Sequence, residues 1–280
     1  MQKFQAILKK IGWLPLSISL SALVIIVIVS HLGTDTTVHT GIWGTFVGAF
    51  SNAIIGLSDL LGGGYGVGII VFTILIRLFL LPLGVYQVES MTKMQQLQPQ
   101  LKALQAEYPE KDADSRQALM AAQQALYKSV GVNSFASMLP LLAQMPVFLG
   151  LYQGIASSVT LRSGHFLCWE LGSRDPWFVL PVLAAACVFL SSWLSSKMTT
   201  DATGMTKIMP IVTTVAIFIT TLVSPNAMGL YMVMTNIFQV GQTLILQNPF
   251  KVQRDMAAKT AREKARRRQM AKLRQQNKKH

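Results

Sequence analysis

The stretch VGIIVFTILIRLFLLPLGVY, residues 67–86, runs for twenty residues with a single charged side chain, Arg77. About 20 residues at 1.5 Å rise match the thickness of a bilayer's hydrocarbon core, so this segment reads as a membrane crossing. Five more segments have comparable length and apolarity, near 13–31, 134–155, 176–196, 206–223 and 226–246. In a chain of 280 residues, 51% hydrophobic and 13% charged, they leave little material for a water-soluble globule and exclude a disordered one. The fold expected is all-α and polytopic.

Charge sets the orientation. With the N-terminus in the cytoplasm, the inside pieces are 1–12, 87–133, 197–205 and 247–280, and they carry 21 of the 25 Lys and Arg residues. The outside pieces carry only Arg162 and Arg174. Such asymmetry is what the positive-inside rule expects, and an even number of crossings returns the C-terminus to the cytoplasm. Lys3, Lys9 and Lys10 precede the first crossing, as in a signal peptide or a signal anchor, and Val29-Ser30-His31 is a poor small-residue cleavage site. Cys168 and Cys187 cannot build a disulfide framework.

Between the crossings, Ile42, Phe46, Phe50, Ile54, Leu57 and Leu61 fall at three- and four-residue steps, the pattern of an amphipathic helix on the outer face. Gly62, Gly63, Gly64, Gly66 and Gly68 then read as a flexible lead-in to the second crossing, since no strand precedes them and no Lys-Ser/Thr follows. Residues 87–133 are polar and helical, with Met94, Leu97, Leu101 and Leu104 on one face, a break at Tyr108-Pro109, a restart at Asp112, and Leu119, Leu126 and Val130 on the second half. This predicts an antiparallel helical hairpin in the cytoplasm. The tail holds 12 Lys and Arg residues in 251–280, among them Arg266, Arg267, Arg268, Lys272 and Arg274, without aromatic residues for base stacking. Its chemistry suits ribosomal RNA phosphates or anionic lipid headgroups, with no sequence-specific nucleic-acid reading.

Arg77 is the expensive residue. An arginine at the centre of a crossing costs about 3 kcal/mol on insertion scales, and no Asp or Glu lies in any of the six segments to pair with it. By helix rise both membrane edges are about 15 Å away, too far for snorkelling, which favours a wet cavity. Candidate lining groups are Gln144, Ser191 and Ser195, the seven-apart pair Thr213 and Thr220, and Asn236 with Gln239. The amides weigh more than the hydroxyls, which commonly serve as interhelical glue. His31, His39, His165 and His280 sit at or beyond membrane edges, and no hydrolase, zinc-protease or P-loop motif occurs, so neither an enzyme nor a cofactor is expected.

Four blocks together resemble the YidC membrane protein insertase family in its short, Gram-positive-type form. They are Leu75-Ile76-Arg77 with Leu81-Pro82-Leu83 and Met94 to Pro99; Leu126-Tyr127-Lys128 through Asn133 to Leu139-Pro140 and Gln144 to Phe148; Asp175-Pro176-Trp177 with Leu180-Pro181; and Met209-Pro210 followed by Pro225, Tyr231 and Asn236. They span roughly residues 45–248. Two departures stand out: no cysteine precedes Cys168, which excludes a lipid-modified leader, and Met232 follows the tyrosine of the last crossing where members commonly have Trp. The span 32–66 is also too short for the large extracytoplasmic domain of the Gram-negative type.

The resemblance implies a division into residues 1–31 as signal peptide or anchor, 32–66 as outer helix and lead-in, 67–246 as a five-helix core around a hydrophilic groove, and 247–280 as a basic cytoplasmic tail. It implies an insertase and chaperone of the bacterial plasma membrane, working without nucleotide hydrolysis, with Arg77 in a groove open to cytoplasm and lipid. Its implied partners are nascent membrane proteins and the ribosome, with the Sec translocon and the signal recognition pathway as further candidates. A small-solute transporter with Arg77 as an anion site, and a scaffold that never inserts its clients, are the rival readings. No internal repeat supports the transporter.

Overall fold

The computed structural model describes residues 13–33, 35, 41–108, 112–129, 139–196, 204–247 and 258. The chain forms helices α1 (Trp13–Leu32), α2 (Gly41–Leu61), α3 (Gly64–Phe79), α4 (Leu81–Gln96), α5 (Gln98–Glu107), α6 (Ala113–Ser129), α7 (Leu139–Ser157) and α8 (Val159–Arg162). A two-residue strand pair, β1 (His165–Phe166) and β2 (Trp169–Glu170), leads to α9 (Val179–Ser196), α10 (Gly204–Val223) and α11 (Asn226–Gln242). A π-helical turn, Thr243–Gln247, extends α11. The architecture is the all-α membrane bundle that the hydrophobic segments require.

Helices α1, α2 and α3 pack together on one side, α9 and α10 on the other, and α11 lies between, touching α3 and α9. Phe72, Ile54, Ile69, Leu151, Ile155 and Met228 are its fully buried centre. Val182, Leu183, Phe189, Ile211, Val212 and Val215 stay exposed on α9 and α10, the apolar exterior that lipid covers. Leu14–Leu32 and Gly41–Leu61 are each long and apolar enough to cross a bilayer, Val179–Ser195 and Ile208–Val223 are shorter apolar helices, and Gly64–Phe79 with Leu81–Ser90 makes a bent pair.

That bent pair corrects the reading of residues 67–86 as one straight crossing. The chain turns by 54° at Leu80. Pro82, in the first turn of α4, has no N–H to offer the carbonyl four residues back, and its ring crowds that carbonyl. The bend is bracketed by Leu80 N–H on Ile76 O at 2.9 Å and Gly84 N–H on Leu80 O at 3.1 Å. Arg77 therefore occupies the last turn of α3. Linear helix rise along 67–86 therefore does not measure the depth of Arg77.

Helix α2 differs from its expectation as well. Its apolar stripe is covered by protein rather than by headgroups: Phe50, Ile54 and Leu57 are buried, and only the ends, Ile42 and Leu61, are exposed. Lipid is as apolar as leucine, so helices in a membrane gain by approaching closely through small residues. A Cβ on Gly56 would stand 2.6 Å from Val29 O of α1, and one on Gly68 would stand 2.5 Å from Ile54 O. The glycine cluster is likewise not a flexible leader. Gly62 and Gly64 take φ of 62° and 74° to turn the chain from α2 into α3, and Gly66 lies against the Phe166 ring.

The end of the bundle that carries the strand pair is tied together around Asp175. Its carboxylate accepts from Trp169 Nε1 at 2.9 Å, from Trp177 N–H at 3.0 Å and from Leu180 N–H at 2.7 Å, so it caps α9 while holding the strand pair. The start of α11 is sewn to the same loop by Asn226 N–H on Ser173 O at 2.7 Å, Ala227 N–H on Leu171 O at 3.0 Å and Asn226 Nδ2 on Glu170 O at 2.9 Å. At the opposite end, α5 and α6 form the antiparallel hairpin that the sequence predicts. Leu97 and Leu101 are buried there against Met94, Leu126 and Tyr127, whereas Met120 stays exposed and α6 buries no residue fully.

Replacing Asp175 by Ala strands three donors at once and should cost about 1–3 kcal/mol, with Asp175→Asn intermediate and Arg174→Ala near neutral. Thermal unfolding in detergent, followed by circular dichroism, checks this order.

Candidate functional site

Burial along the bundle is uneven. Residues Asn226–Val233 of α11 are all buried, whereas most of the second half of that helix and residues 81–89 of α4 are only half-covered. A pocket opens at this looser end, where α3, α4, α7 and α11 diverge. Arg77, Leu80, Leu83, Gly84, Gln87, Ala143, Gln144, Gln239 and Gln242 line it, and it is partly open to the outside. Four glutamines and one guanidinium thus face a common space.

Each side chain arrives there for a local reason. The bend at Leu80 ends α3 three residues after Arg77, which puts the cation beside the last carbonyls of a helix, where the macrodipole favours positive charge. Tyr231, only 2% exposed, stands close enough to Arg77 for its phenol to interact with the charge. Gln144 Nε2 donates to the Tyr231 hydroxyl. Gln242 lies directly against Gly84, where any side chain on α4 would displace it. Arg77 has no ion pair among the described residues; Lys93 Nζ instead meets Glu89 Oε1 at 2.7 Å, one turn away on α4.

Of the groups chosen from sequence, the structure brings Arg77, Gln144 and Gln239 together. It does not bring Ser191, Ser195, Thr213, Thr220 or Asn236 to the pocket lining. Ser191 bonds back to Val188 O at 3.1 Å, Thr220 to Ala216 O at 2.8 Å, and Asn236 Nδ2 to Met232 O at 2.8 Å. Thr213, bonded to Met209 O at 3.0 Å, and Thr220 are exposed on α10. Their seven-residue spacing marks one face, and that face is exposed and apart from the lining of this pocket. Hydroxyls satisfied by the preceding turn need no cavity. The basic residues Arg266, Arg267, Arg268, Lys272 and Arg274 lie outside the described residues.

Gln87, Gln242 and Tyr231 escaped the sequence reading as site residues. Gln87 falls one position beyond the apolar run, and Gln242 completes a three-residue step from Gln239 that a longer periodicity scan picks up. Tyr231 looks like an interfacial aromatic until the fold buries it.

The arrangement defines a multi-pass helical membrane protein with a half-open polar pocket, closed at one end by a hydrogen-bonded cap. A family model described as 60Kd inner membrane protein matches residues 56–254. The membrane protein insertase YidC 2 of Lactiplantibacillus plantarum is 46% identical over 243 residues, covering 86% of this chain and 88% of that protein. The membrane protein insertase YidC of Enterococcus faecalis is 42% identical over 241 residues, covering 86% and 87%. A crystal structure of an active YidC insertase with its first transmembrane domain resolved superposes with TM-score 0.59 at 26% identity over 74% of this chain. That match takes in 47% of the solved chain, so this chain spans about half of its length. The chain belongs to the YidC family of bacterial multi-pass membrane proteins.

Water should reach the pocket from the hairpin side. In a chain with Cys168 and Cys187 replaced by Ser, Gln87→Cys and Gln242→Cys should react with a charged maleimide, whereas Met228→Cys in the closed half should stay unlabelled over the same period. Equal protection of all three would mean a dry pocket.

Proposed function

We propose that this chain is a membrane protein insertase in which Arg77 and the glutamines around it receive the polar, acidic part of a client's translocated segment while the client's apolar helix passes into lipid. One observation carries the reading: a guanidinium inside an apolar bundle, aimed at a half-open polar pocket, with no carboxylate partner among the described residues. A buried cation without a counter-ion is costly, and a carboxylate arriving on a client relieves that cost. The attraction is strong in a low-dielectric site and is lost once the client moves on, so the pocket can act repeatedly. The named activity of the 46%-identical relative supports the same reading.

The energetics ask for no nucleotide. Half-open packing lets water follow polar client residues part of the way, and transfer of the apolar client helix into lipid supplies the drive. The cap around Asp175 keeps the outer end shut during this passage. The C-terminus lies in the cytoplasm, where Arg266, Arg267, Arg268, Lys272 and Arg274 attract ribosomal or lipid phosphates. Thermodynamics alone gives the direction: a client helix inserted in lipid has no reason to return.

Purified chain in liposomes, offered a single-spanning client with an acidic translocated tail and no ATP, should give protease-protected, correctly oriented product. Arg77→Ala should lower the yield of the acidic-tail client roughly tenfold, the equivalent of about 1.4 kcal/mol, and affect a neutral-tail client less. Arg77→Lys should recover part of it, because charge is kept and the donor geometry is not. Equal losses for both clients would remove the charge from the mechanism.

Deleting residues 251–280 should weaken ribosome association most at low salt, with the difference from the full chain shrinking as salt is added, and spare insertion of already finished clients. Sedimentation of ribosomes with proteoliposomes at several salt concentrations reads this out.

A further inference from the structure

The bend that delivers Arg77 leaves a backbone group to be satisfied. In a helix running straight on, the Phe79 carbonyl would accept from the N–H of residue 83, but the chain has turned by 54° at that point. Within a bilayer an unpaired carbonyl costs several kcal/mol, so a partner must come from elsewhere. It comes from α1: Ser19 Oγ donates to Phe79 O at 2.7 Å, across 60 residues of sequence. Ser17, Ser21 and Ser30, on the same helix, bond only to carbonyls three residues back. Ser19 alone among these four reaches another helix.

Helix α1 is seated firmly enough to make this contact specific. It packs against α2, α3 and α4. Ala22 and Val29 are buried at 1% and 4% exposure, Val29 O lies against Gly56, and Gly33 lies against the Asn52 backbone. A glycine at each close approach fixes the register of α1 along α2, and that register sets the height of Ser19 beside the bend.

We infer that Ser19 is a positioning residue for the polar pocket: its hydroxyl holds the Phe79 carbonyl, fixes the bend at Leu80, and thereby orients Arg77 two residues earlier. The first hydrophobic helix is then a resident part of the working protein and not a leader to be removed. The inference rests on the proposed role of Arg77 for its functional half only; its structural half stands on the hydrogen bond.

The tests separate the two halves. Intact-mass analysis of the membrane-extracted chain should show residues 13–32 present, and a mature chain beginning after residue 32 would overturn the inference. In nanodiscs, Ser19→Ala should speed amide exchange in peptides covering residues 78–88 by roughly five- to tenfold, and Ser19→Thr, which keeps the hydroxyl, should restore it. Unchanged exchange in the alanine variant overturns the inference whatever Arg77 does. In the liposome assay, Ser19→Ala should depress the acidic-tail client selectively, without adding to the loss in a Ser19→Ala/Arg77→Ala double variant. Additive or client-independent loss would show that Ser19 holds the helix without positioning Arg77, which also overturns it. If Arg77→Ala itself leaves the acidic-tail client untouched, the proposed function falls on that result, and the exchange measurement still decides whether Ser19 fixes the bend.

Discussion

A guanidinium kept among apolar helices, with no carboxylate beside it among the described residues, is the constraint around which this bundle is organised. The desolvation cost of Arg77 has to be met by something other than an ion pair. Three local features share the task. The C-terminal carbonyls of α3 carry negative partial charge, Gln144 and Gln239 line the same pocket as Arg77, with Gln144 bonded to the Tyr231 hydroxyl, and the pocket is partly open to the outside. None of these would reach Arg77 if residues 67–86 ran as one straight rod. Pro82 matters for this reason more than for local helix propensity: it converts an interior position into a helix end.

Opposite demands at the two ends of α11 explain its asymmetry. The Asn226–Val233 half is locked by backbone bonds to Leu171 and Ser173 and by dense packing, whereas the half beyond it contributes glutamines to the pocket. The cap owes its strength to one carboxylate, Asp175, serving three donors, because each N–H otherwise left without a partner carries its own desolvation penalty. Small residues do the same work along α1, α2 and α3, where backbones approach too closely for any side chain between them.

Much of this was legible in the sequence because lipid imposes long apolar runs, and their length and flanking charge can be counted. The helix order, the hairpin at 87–129 and the pairing of Arg77 with Gln144 and Gln239 follow from such patterns. What could not be read is what depends on direction. Thr213 and Thr220 share a face, as their spacing says, but spacing does not tell whether other helices cover that face, and here none among the described residues does. The stripe on α2 is amphipathic by count, yet it is protein that covers it, because Gly56, Gly68 and Gly154 bring neighbouring helices into contact. The 54° bend was hidden for a related reason: a proline after an apolar run permits a kink, and only the surrounding helices decide whether the chain takes it.

The glutamines raise a last question of chemistry. Carboxylates in place of Gln87, Gln144, Gln239 or Gln242 would neutralise Arg77 permanently and stabilise the resting protein, yet all four positions carry neutral amides. An amide both donates and accepts, so it can hydrogen-bond water, a client backbone or a client carboxylate without preferring any of them strongly. A pocket of amides around one cation carries net positive charge and offers groups that both donate and accept hydrogen bonds. A pocket that must accept many sequences and release each of them needs those properties, whereas a transport site selective for one solute would need converging, directional contacts. The residue types at the wall, more than the arginine itself, favour the passage of varied polypeptides over the binding of a single small anion.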